Sequence, residues 1–493
     1  MLIRARTRGR SNVAIRRGAR TARGIRGMLA CVCTAQLAAC AHFQPRPVTA
    51  RSSIAAFESR SLQSPGLRAF LAANHLTAPA AGAPWTLKAL TLAAFYYQPG
   101  LAEARARLLS AQAARVTAGE RPNPSLSLAP GHDSPVAGAI SPWIVPLSFD
   151  WPIETDGKRG DRLAEARHLA AAARWDLIGT VWQVRSRLRT ALLNLYAARR
   201  SESLLGEEAA TQREAVHLLD GQLTAGNVSS YEVAQAGITL QRAELATQAA
   251  AAHLRQSRIA LAGALGVPVR ALNGVRFKFA DLRIFPATLT RPHVRQRALL
   301  ERADVRAALE RYAASQSALQ LEIARQWPDI HIGPGFAWNA QLVGDREWDL
   351  RLSLPLPILN QNQGPIAAAR AQRALAAAHF VTVQSAALMQ IDGALAAYAS
   401  ARAELTTAEA LHHDLARQLT AVRAEVAAGE LQPLDRVSAR LAYEQGAQER
   451  LGALLDAQRA LGRLEDAMQS PLTLAPAAIR SARRTPEMRG MQP

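Results

Sequence analysis

Two hydrophobic periods alternate along the chain. In Trp143–Trp151, one face carries Trp143, Val145, Leu147, Phe149 and Trp151, and the other Ile144, Pro146, Ser148 and Asp150. Trp348–Leu356 splits more cleanly, with Trp348, Leu350, Leu352, Leu354 and Leu356 opposite Asp349, Arg351, Ser353 and Pro355. Asp329–Trp338 sets Ile330, Ile332, Pro334, Phe336 and Trp338 against Asp329, His331, Gly333, Gly335 and Ala337, and Ser125–Pro130 is a shorter case. A period of two marks strands with one apolar and one polar face, here about 124–130, 143–152, 328–338 and 347–356.

Elsewhere the period is helical. Positions 86–118 and 293–326 are rich in Ala, Leu and Arg and end before proline-containing breaks. No proline interrupts the stretch from about Asp156 to Thr224, or from about Ile366 to Ala428. Sixty-odd residues at ~1.5 Å each span roughly 95–100 Å, far beyond a globular helix. Leu177, Val181, Val184, Leu188, Ala191, Leu195 and Ala198 keep the 4-3-4-3 spacing of a coiled-coil seam. Each long helix stops at a glycine turn, Ala225-Gly226-Asn227-Val228 or Ala428-Gly429-Glu430-Leu431, suited to a left-handed C-cap. A second helix of nearly 40 residues then returns, so hairpins are expected over about 156–266 and 366–470.

The same order of elements occurs twice. Arg121-Pro-Asn-Pro-Ser-Leu-Ser-Leu-Ala-Pro-Gly131 lies 204 residues before Arg325-Gln-Trp-Pro-Asp-Ile-His-Ile-Gly-Pro-Gly335, with Arg, Pro, two apolar positions, Pro and Gly coincident without a gap. That offset also pairs Gln98-Pro99-Gly100-Leu101 with Arg302-Ala303-Asp304-Val305, and Gly160 with Gly364. Ala225-Gly226 pairs with Ala428-Gly429 at 203. The chain therefore reads as a tandem duplication of helix, strand, strand, long helix, turn and helix. The units are 86–270 and 293–470, joined by a linker at 271–292.

A soluble sheet would alternate too, and that alternative stays open. Two details point to a membrane barrel. Trp143 and Trp151 are eight residues apart, roughly 26 Å along a strand and about 20 Å along the normal of a tilted one, the spacing of two aromatic girdles. Phe336, Trp338 and Trp348 would share that band, while Asp150, His331, Asp349 and Arg351 suit a wet interior. Four strands cannot close a barrel, so several chains would contribute.

The N-terminus reads as an address. Nine arginines and no acid occupy residues 1–26, followed by apolar Met28–Leu37 and then Leu37-Ala38-Ala39-Cys40. A charged region, a short apolar stretch and small residues before a cut make a secretory signal, and the ending resembles that of a bacterial lipoprotein. Residues 1–39 would be removed, and Cys40 would become the acylated first residue of a linker at 40–85; the alternative is a misassigned start and an unmodified Cys40. Ala41 after the cysteine implies, in lipoproteins, release to the outer membrane. The leader also accounts for much of the charge: without it, the net +20 of the 493 residues falls to +11. The basic tail at 471–493 is expected to be disordered. Cys31 and Cys33 would leave with the leader, so no disulfide framework is possible. No run of 18 apolar residues marks a spanning helix.

The lipobox, the duplicated hairpin units and the strand pairs together resemble the TolC-like outer-membrane efflux proteins, over about residues 86–470. Arg121-Pro-Asn-Pro, Pro152-Ile-Glu-Thr-Asp-Gly-Lys-Arg-Gly160 and Leu354-Pro-Leu-Pro-Ile-Leu-Asn-Gln-Asn-Gln-Gly364 look like the branch containing the CzcC and CusC heavy-metal efflux channels. The resemblance implies a mainly α chain with a small membrane β-barrel portion. Three chains would form a twelve-stranded barrel over a periplasmic α-helical tunnel. The family usually has Pro where Ala303 stands.

By position, the turns holding Gly226, Asn227, Val228, Ser229, Gly429, Glu430 and Leu431 would form the periplasmic tip. There the family docks a periplasmic adaptor and, through it, an inner-membrane pump. Asp435 matches an acid of the closed entrance, and three copies would make an anionic ring. Ser438 replaces the family's next acid, so a single ring is expected. Glu232 and Arg436 would join salt links that hold the gate shut, unless they are ordinary solvated charges.

Other chemistry is missing from the sequence. There is no phosphate loop, zinc-spaced Cys/His set or nucleophile elbow. His412-His413-Asp414 sits mid-helix, where adjacent residues point apart. His132-Asp133 is an equally weak metal candidate. The arginines lack interleaved aromatics, which argues against nucleic acid. The expectation is a passive homotrimeric efflux conduit in outer-membrane lipid, without enzymatic activity, metal or cofactor. Metal cations are favoured as cargo by local resemblance; a drug channel or a soluble periplasmic coiled-coil scaffold are the alternatives.

Overall fold

The computed structural model describes residues 42–80, 82–132, 143–286, 295–296, 300–339 and 345–472. Cys40, the leader and most of the basic tail lie outside these, as does Asp133. The chain divides into two units at Ser59/Arg60. The first holds helix α1 (Ala50–Glu58), opened by a capping box between Thr49 and Ser52. The rest concerns the second.

Part of the segment expected as linker is ordered. Helix α2 (Pro65–Ala73) is capped by Ser64, whose hydroxyl accepts from Leu67 N, and has proline at its start. Leu62, Leu67 and Leu71 are fully buried. The helix expected over 86–118 is two helices, α3 (Leu87–Tyr97) and α4 (Pro99–Gly119). Pro99 has no N–H and restricts the preceding residue, so Gln98 turns extended (ψ 117°) and the chain bends. Of the nine residues Leu87–Phe95 of α3, all but Lys88 are buried, as suits a helix surrounded by packing partners.

Strand β1 (Ser125–Leu128) and the short β2 (Gly131–His132) both pair antiparallel with β3 (Trp143–Ile153), as one strand interrupted at Ala129-Pro130. Helix α5 (Lys158–Thr224) follows Gly157, which is left-handed at φ 71°. It runs 67 residues without a break, and α6 (Ser230–Leu265) returns for 36. Two short 3-10 turns (Val269–Leu272 and Ala280–Arg283) end the unit, tied back where Trp85 N donates to Arg276 O and Lys278 N to Trp85 O.

The second unit repeats this pattern. Helix α7 (Ala303–Ala324) leads to β4 (Ile330–Asn339) and β5 (Asp345–Ser353), then to α8 (Gln363–Ala428, 66 residues) and α9 (Pro433–Met468, 36 residues). β5 stops three residues short of the expected end because Pro355 and Pro357 cannot donate to a ladder. The two long helices differ by one residue and the two return helices not at all.

Each long helix outruns its return partner by about half its length. The surplus is covered by the shorter helices: α4 packs on α5, and α7 on both α5 and α8. The predicted seam forms, with Val184, Leu188, Ala191, Leu195 and Ala198 buried. A core of Leu67, Leu90, Leu101, Leu188, Leu192 and Leu261 gathers α2, α3, α5 and α6. A second, of Ile391, Tyr398, Leu405, Leu461 and Leu464, joins α8 to α9. α8 is long enough, and one Ala-rich window of it apolar enough, to cross a membrane; that window is 11% buried, while the helix as a whole packs along α9 and α7.

Candidate functional site

The strands lie in one antiparallel sheet in the order β1-β3-β4-β5. Among the described residues, neither outer edge has a strand partner. Register brings the apolar face together. Leu147 sits opposite Phe336, Val145 opposite Trp338, and Trp151 opposite Ile332. Phe336 in turn faces Trp348, their rings 4.8 Å apart, while Leu350 faces Pro334 and Leu352 faces Ile332. Among the described residues, nothing covers this face. Trp348, Leu350 and Leu352 are 75%, 72% and 71% exposed, and Trp143 and Trp151 about half exposed.

The other face holds polar groups paired across or along strands. Asp150 and His331 lie 3.0 Å apart, and Arg351 donates to Asp349 at 2.6 Å. A sheet with an exposed tryptophan–leucine face, a polar reverse and two open edges is an aggregation hazard in water. It becomes satisfied when the edges close on other copies and the apolar face meets lipid.

At the far end, the two helix turns obey one rule. Gly226 (φ 78°) and Gly429 (φ 84°) take the left-handed conformation that ends a helix. Three residues past Gly226, Ser229 caps α6. Its backbone and hydroxyl donate to the Glu232 carboxylate at 2.7 and 2.8 Å, and Ser229's backbone N–H, first of all, holds that carboxyl below its ordinary range. In the second hairpin Gln432 and Asp435 form the equivalent box, with Gln432 N donating to Asp435 Oδ2 at 2.9 Å. Glu232 and Asp435 are thus the same position of the repeat, each fixing the start of a return helix while staying exposed. Asn227, Val228, Glu430 and Leu431 fill the turns between, and Tyr231 beside them is 69% exposed.

Arg436 does something different. Its guanidinium crosses from α9 to Glu214 on α5, a carboxylate that Arg440 also approaches at 3.7 Å. This is the first rung of a polar ladder between the two hairpins. Further along, Gln448 donates to Glu208 at 2.6 Å, and Thr211 donates to Glu444 at 2.8 Å. Arg189 donates to the Gln458 side chain at 2.8 Å, and Arg185 to Glu465 at 3.1 Å. Ser186 and Trp182 both donate to Asp466, at 2.6 and 2.8 Å.

Arg185 and Glu465 are almost wholly buried, so their mutual charge and their hydrogen bonds must offset a large desolvation cost. Burial raises the carboxyls of Glu444 and Asp466 above their ordinary values and lowers Arg189. Among the described residues, Glu444 Oε2 has no hydrogen-bond partner. No cluster of three metal-binding side chains occurs among the described residues, His412-His413-Asp414 included.

Sequence reasoning marked the two helix turns, the apolar strand face and Arg436, but missed the rest of the ladder. Its signal was present: Arg185 and Arg189 stand four apart beside the seam positions Val184 and Leu188, where a charge is out of place.

Residues 96–267 and 294–469 match the outer membrane efflux protein family, one match per repeat. The chain belongs to this family. A named relative is the cobalt-zinc-cadmium resistance protein CzcC of Cupriavidus metallidurans, 24% identical over 213 residues, or 43% of this chain. The match spans half the length of that relative. Among solved structures, the outer membrane protein VceC of Vibrio cholerae superposes with a TM-score of 0.65 at 18% identity, over 78% of this chain and 96% of that one. CusC superposes with a TM-score of 0.64 at 17% identity, over 78% and 92%. At such identities the likeness is one of fold.

Proposed function

We propose that this chain is the outer-membrane channel subunit of a tripartite efflux system, a passive conduit from periplasm to exterior. The observation that carries the reading is the open sheet with its bare apolar face, set at the end of paired helices about 100 Å long. Four strand positions per chain, with two free edges, close as three copies into a twelve-stranded barrel. The paired helices of the three copies then surround a water-filled passage. The energy for export comes from a pump in the inner membrane, and this chain carries out no enzymatic step.

The turns at 225–231 and 428–434 are the docking tip for a periplasmic adaptor. Asp435 from each copy forms an anionic ring at the entrance, and Glu232 reinforces the same rim. The Arg436–Glu214 rung holds the hairpins of one copy together there, so adaptor docking opens the passage by breaking it. Because Asp435 also caps α9, Asp435→Asn is the informative change: it keeps an acceptor at the cap and removes the charge. Block of the pore by divalent cations should weaken in that variant, and unchanged block refutes the ring. Arg436→Glu should raise conductance, and a second change of Glu214→Arg should lower it again; a swap that restores nothing refutes the latch.

Cys40 is the acylated residue and anchors the chain in outer-membrane lipid. Cys40→Ala should abolish fatty-acid labelling, and persistent labelling would contradict the anchor. Metal cations are the favoured cargo, supported by local resemblance and by the resistance protein CzcC among the relatives. Cells lacking the gene should become sensitive to cobalt, zinc or cadmium; unchanged metal tolerance with new drug sensitivity favours the drug-channel alternative.

A further inference from the structure

Midway along the helices, α5, α8, α9 and the segment around the second 3-10 turn line an open pocket of about 420 Å³. Its floor is apolar, built on Leu405, Leu451 and Leu454 with the rings of Tyr196 and Phe285. Its rim is not. Arg200, Arg283, Arg402 and Arg450 all line it, against the single carboxylate of Glu409.

Four guanidiniums around one small volume repel one another, and the ordinary remedy is an acid for each. Arg200 has a distant one, Glu207 at 3.8 Å. Arg283, Arg402 and Arg450 form no ion pair among the described residues. Two of them rest on aromatic faces instead: Arg402 lies 4.1 Å from the centre of the Phe285 ring, and Arg283 6.0 Å from that of Tyr196. At Arg402 such stacking orients the planar fork and leaves its N–H groups free to donate, while Arg283 also donates to the Tyr196 hydroxyl at 3.4 Å. The excess of positive charge also reaches a neighbour. Half-buried His412 has a shielded Nδ1 without a hydrogen-bond partner among the described residues, and after desolvation it is Arg450 and Arg200 that push its pKa down.

We infer that this pocket is a binding site for a compact amphipathic anion, an aromatic or short aliphatic body carrying a carboxylate or phosphate. The apolar floor takes the body, and the arginine rim takes the charged head with paired N–H donors. Its level excludes a lipid held in the bilayer. Tyr196 and Arg402 lie 38 and 39 residues beyond the strand-side starts of α5 and α8, which is roughly 57 Å of helix. The ligand is therefore a soluble one. Because the site joins α5 of the first hairpin to α8 and α9 of the second, its occupation stabilises the arrangement of the two. The choice of a soluble ligand rests on the reading that the sheet lies in the bilayer; the arginine rim itself does not.

The test is calorimetric titration of the full-length protein, in a non-ionic detergent, with 1-naphthyl phosphate, and in parallel with the neutral 1-naphthyl glucoside. The phosphate should bind at one site per chain, weaken as salt is raised, and raise the thermal unfolding midpoint at saturation. Arg402→Gln with Arg450→Gln should weaken it at least about tenfold, two lost charge-assisted hydrogen bonds being worth that or more. Arg450→Gln alone removes an exposed side chain without an ion pair, leaves the fold intact and should weaken binding by a smaller factor. No binding of the phosphate, as when a neighbouring copy's side chains fill the pocket, overturns the inference. So does binding that both variants leave unchanged, or equal affinity for the glucoside.

Discussion

Glu465 shows how much can rest on one side chain. It is fully buried, and its carboxylate lies 3.1 Å from Arg185 and 3.6 Å from Arg189, both buried as well. Glu465→Ala would leave two guanidiniums in the interior without their paired carboxylate, only Asp466 remaining nearby, a loss of about 3–5 kcal/mol. Chemical denaturation should show this, whereas Asp456→Ala, which breaks an exposed pair with Arg459, should stay within about 0.5 kcal/mol. Glu444 makes a pH-dependent prediction. Its folded pKa is raised by burial, so its contribution to stability is complete below the unfolded value of about 4.3 and is lost as pH rises through the folded one. Glu444→Gln keeps the Thr211 contact and cannot ionise. Its unfolding midpoint should therefore match the wild type near pH 4 and exceed it increasingly toward pH 8; a constant difference across that range contradicts the assignment. The α5 partners of Glu465 and Glu444 could not be read from sequence, because each lies more than 230 positions away along the chain. The caps could be read, because Ser229 and Glu232 are three residues apart.

At the scale of elements, the long helices and the alternating strands were legible for the same reason: each follows a period that is local. What obscured the rest was local too, though read against the pattern. Pro99 ends α3 inside a stretch whose composition is helical throughout, and Ala129-Pro130 interrupts a strand too short to show a break. Ser64 and Pro65 open a helix in a segment whose polar look suggested a linker. The glycines that end helices separate into two kinds. Gly429 is left-handed with open space where a Cβ would stand, so Gly429→Ala should cost about 1 kcal/mol. Gly266 is left-handed too, and a Cβ there would meet Tyr97 O at 3.0 Å and its carbonyl carbon at 3.2 Å. Gly266→Ala should therefore lower the unfolding midpoint clearly further than Gly429→Ala, and equal shifts would show that the Tyr97 contact yields easily.

The whole molecule is explained by what one chain leaves undone. Its helices bury their seams internally, yet among the described residues its sheet has two open edges and an apolar face of Trp348, Leu350 and Leu352 that nothing covers. Three copies in a bilayer satisfy all of this at once. A charge on that face should then be costly in lipid: Leu350→Arg should lose about 2–4 kcal/mol near the bilayer midplane and reduce the fraction recovered in outer membranes. The most direct measurement is the mass and conductance of the full-length protein, extracted in mild detergent and reconstituted into planar bilayers. The account predicts a trimer that gives discrete, cation-sensitive conductance steps, larger once Arg436→Glu loosens the entrance. A monomer that stays soluble without detergent and passes no current in either form would contradict it.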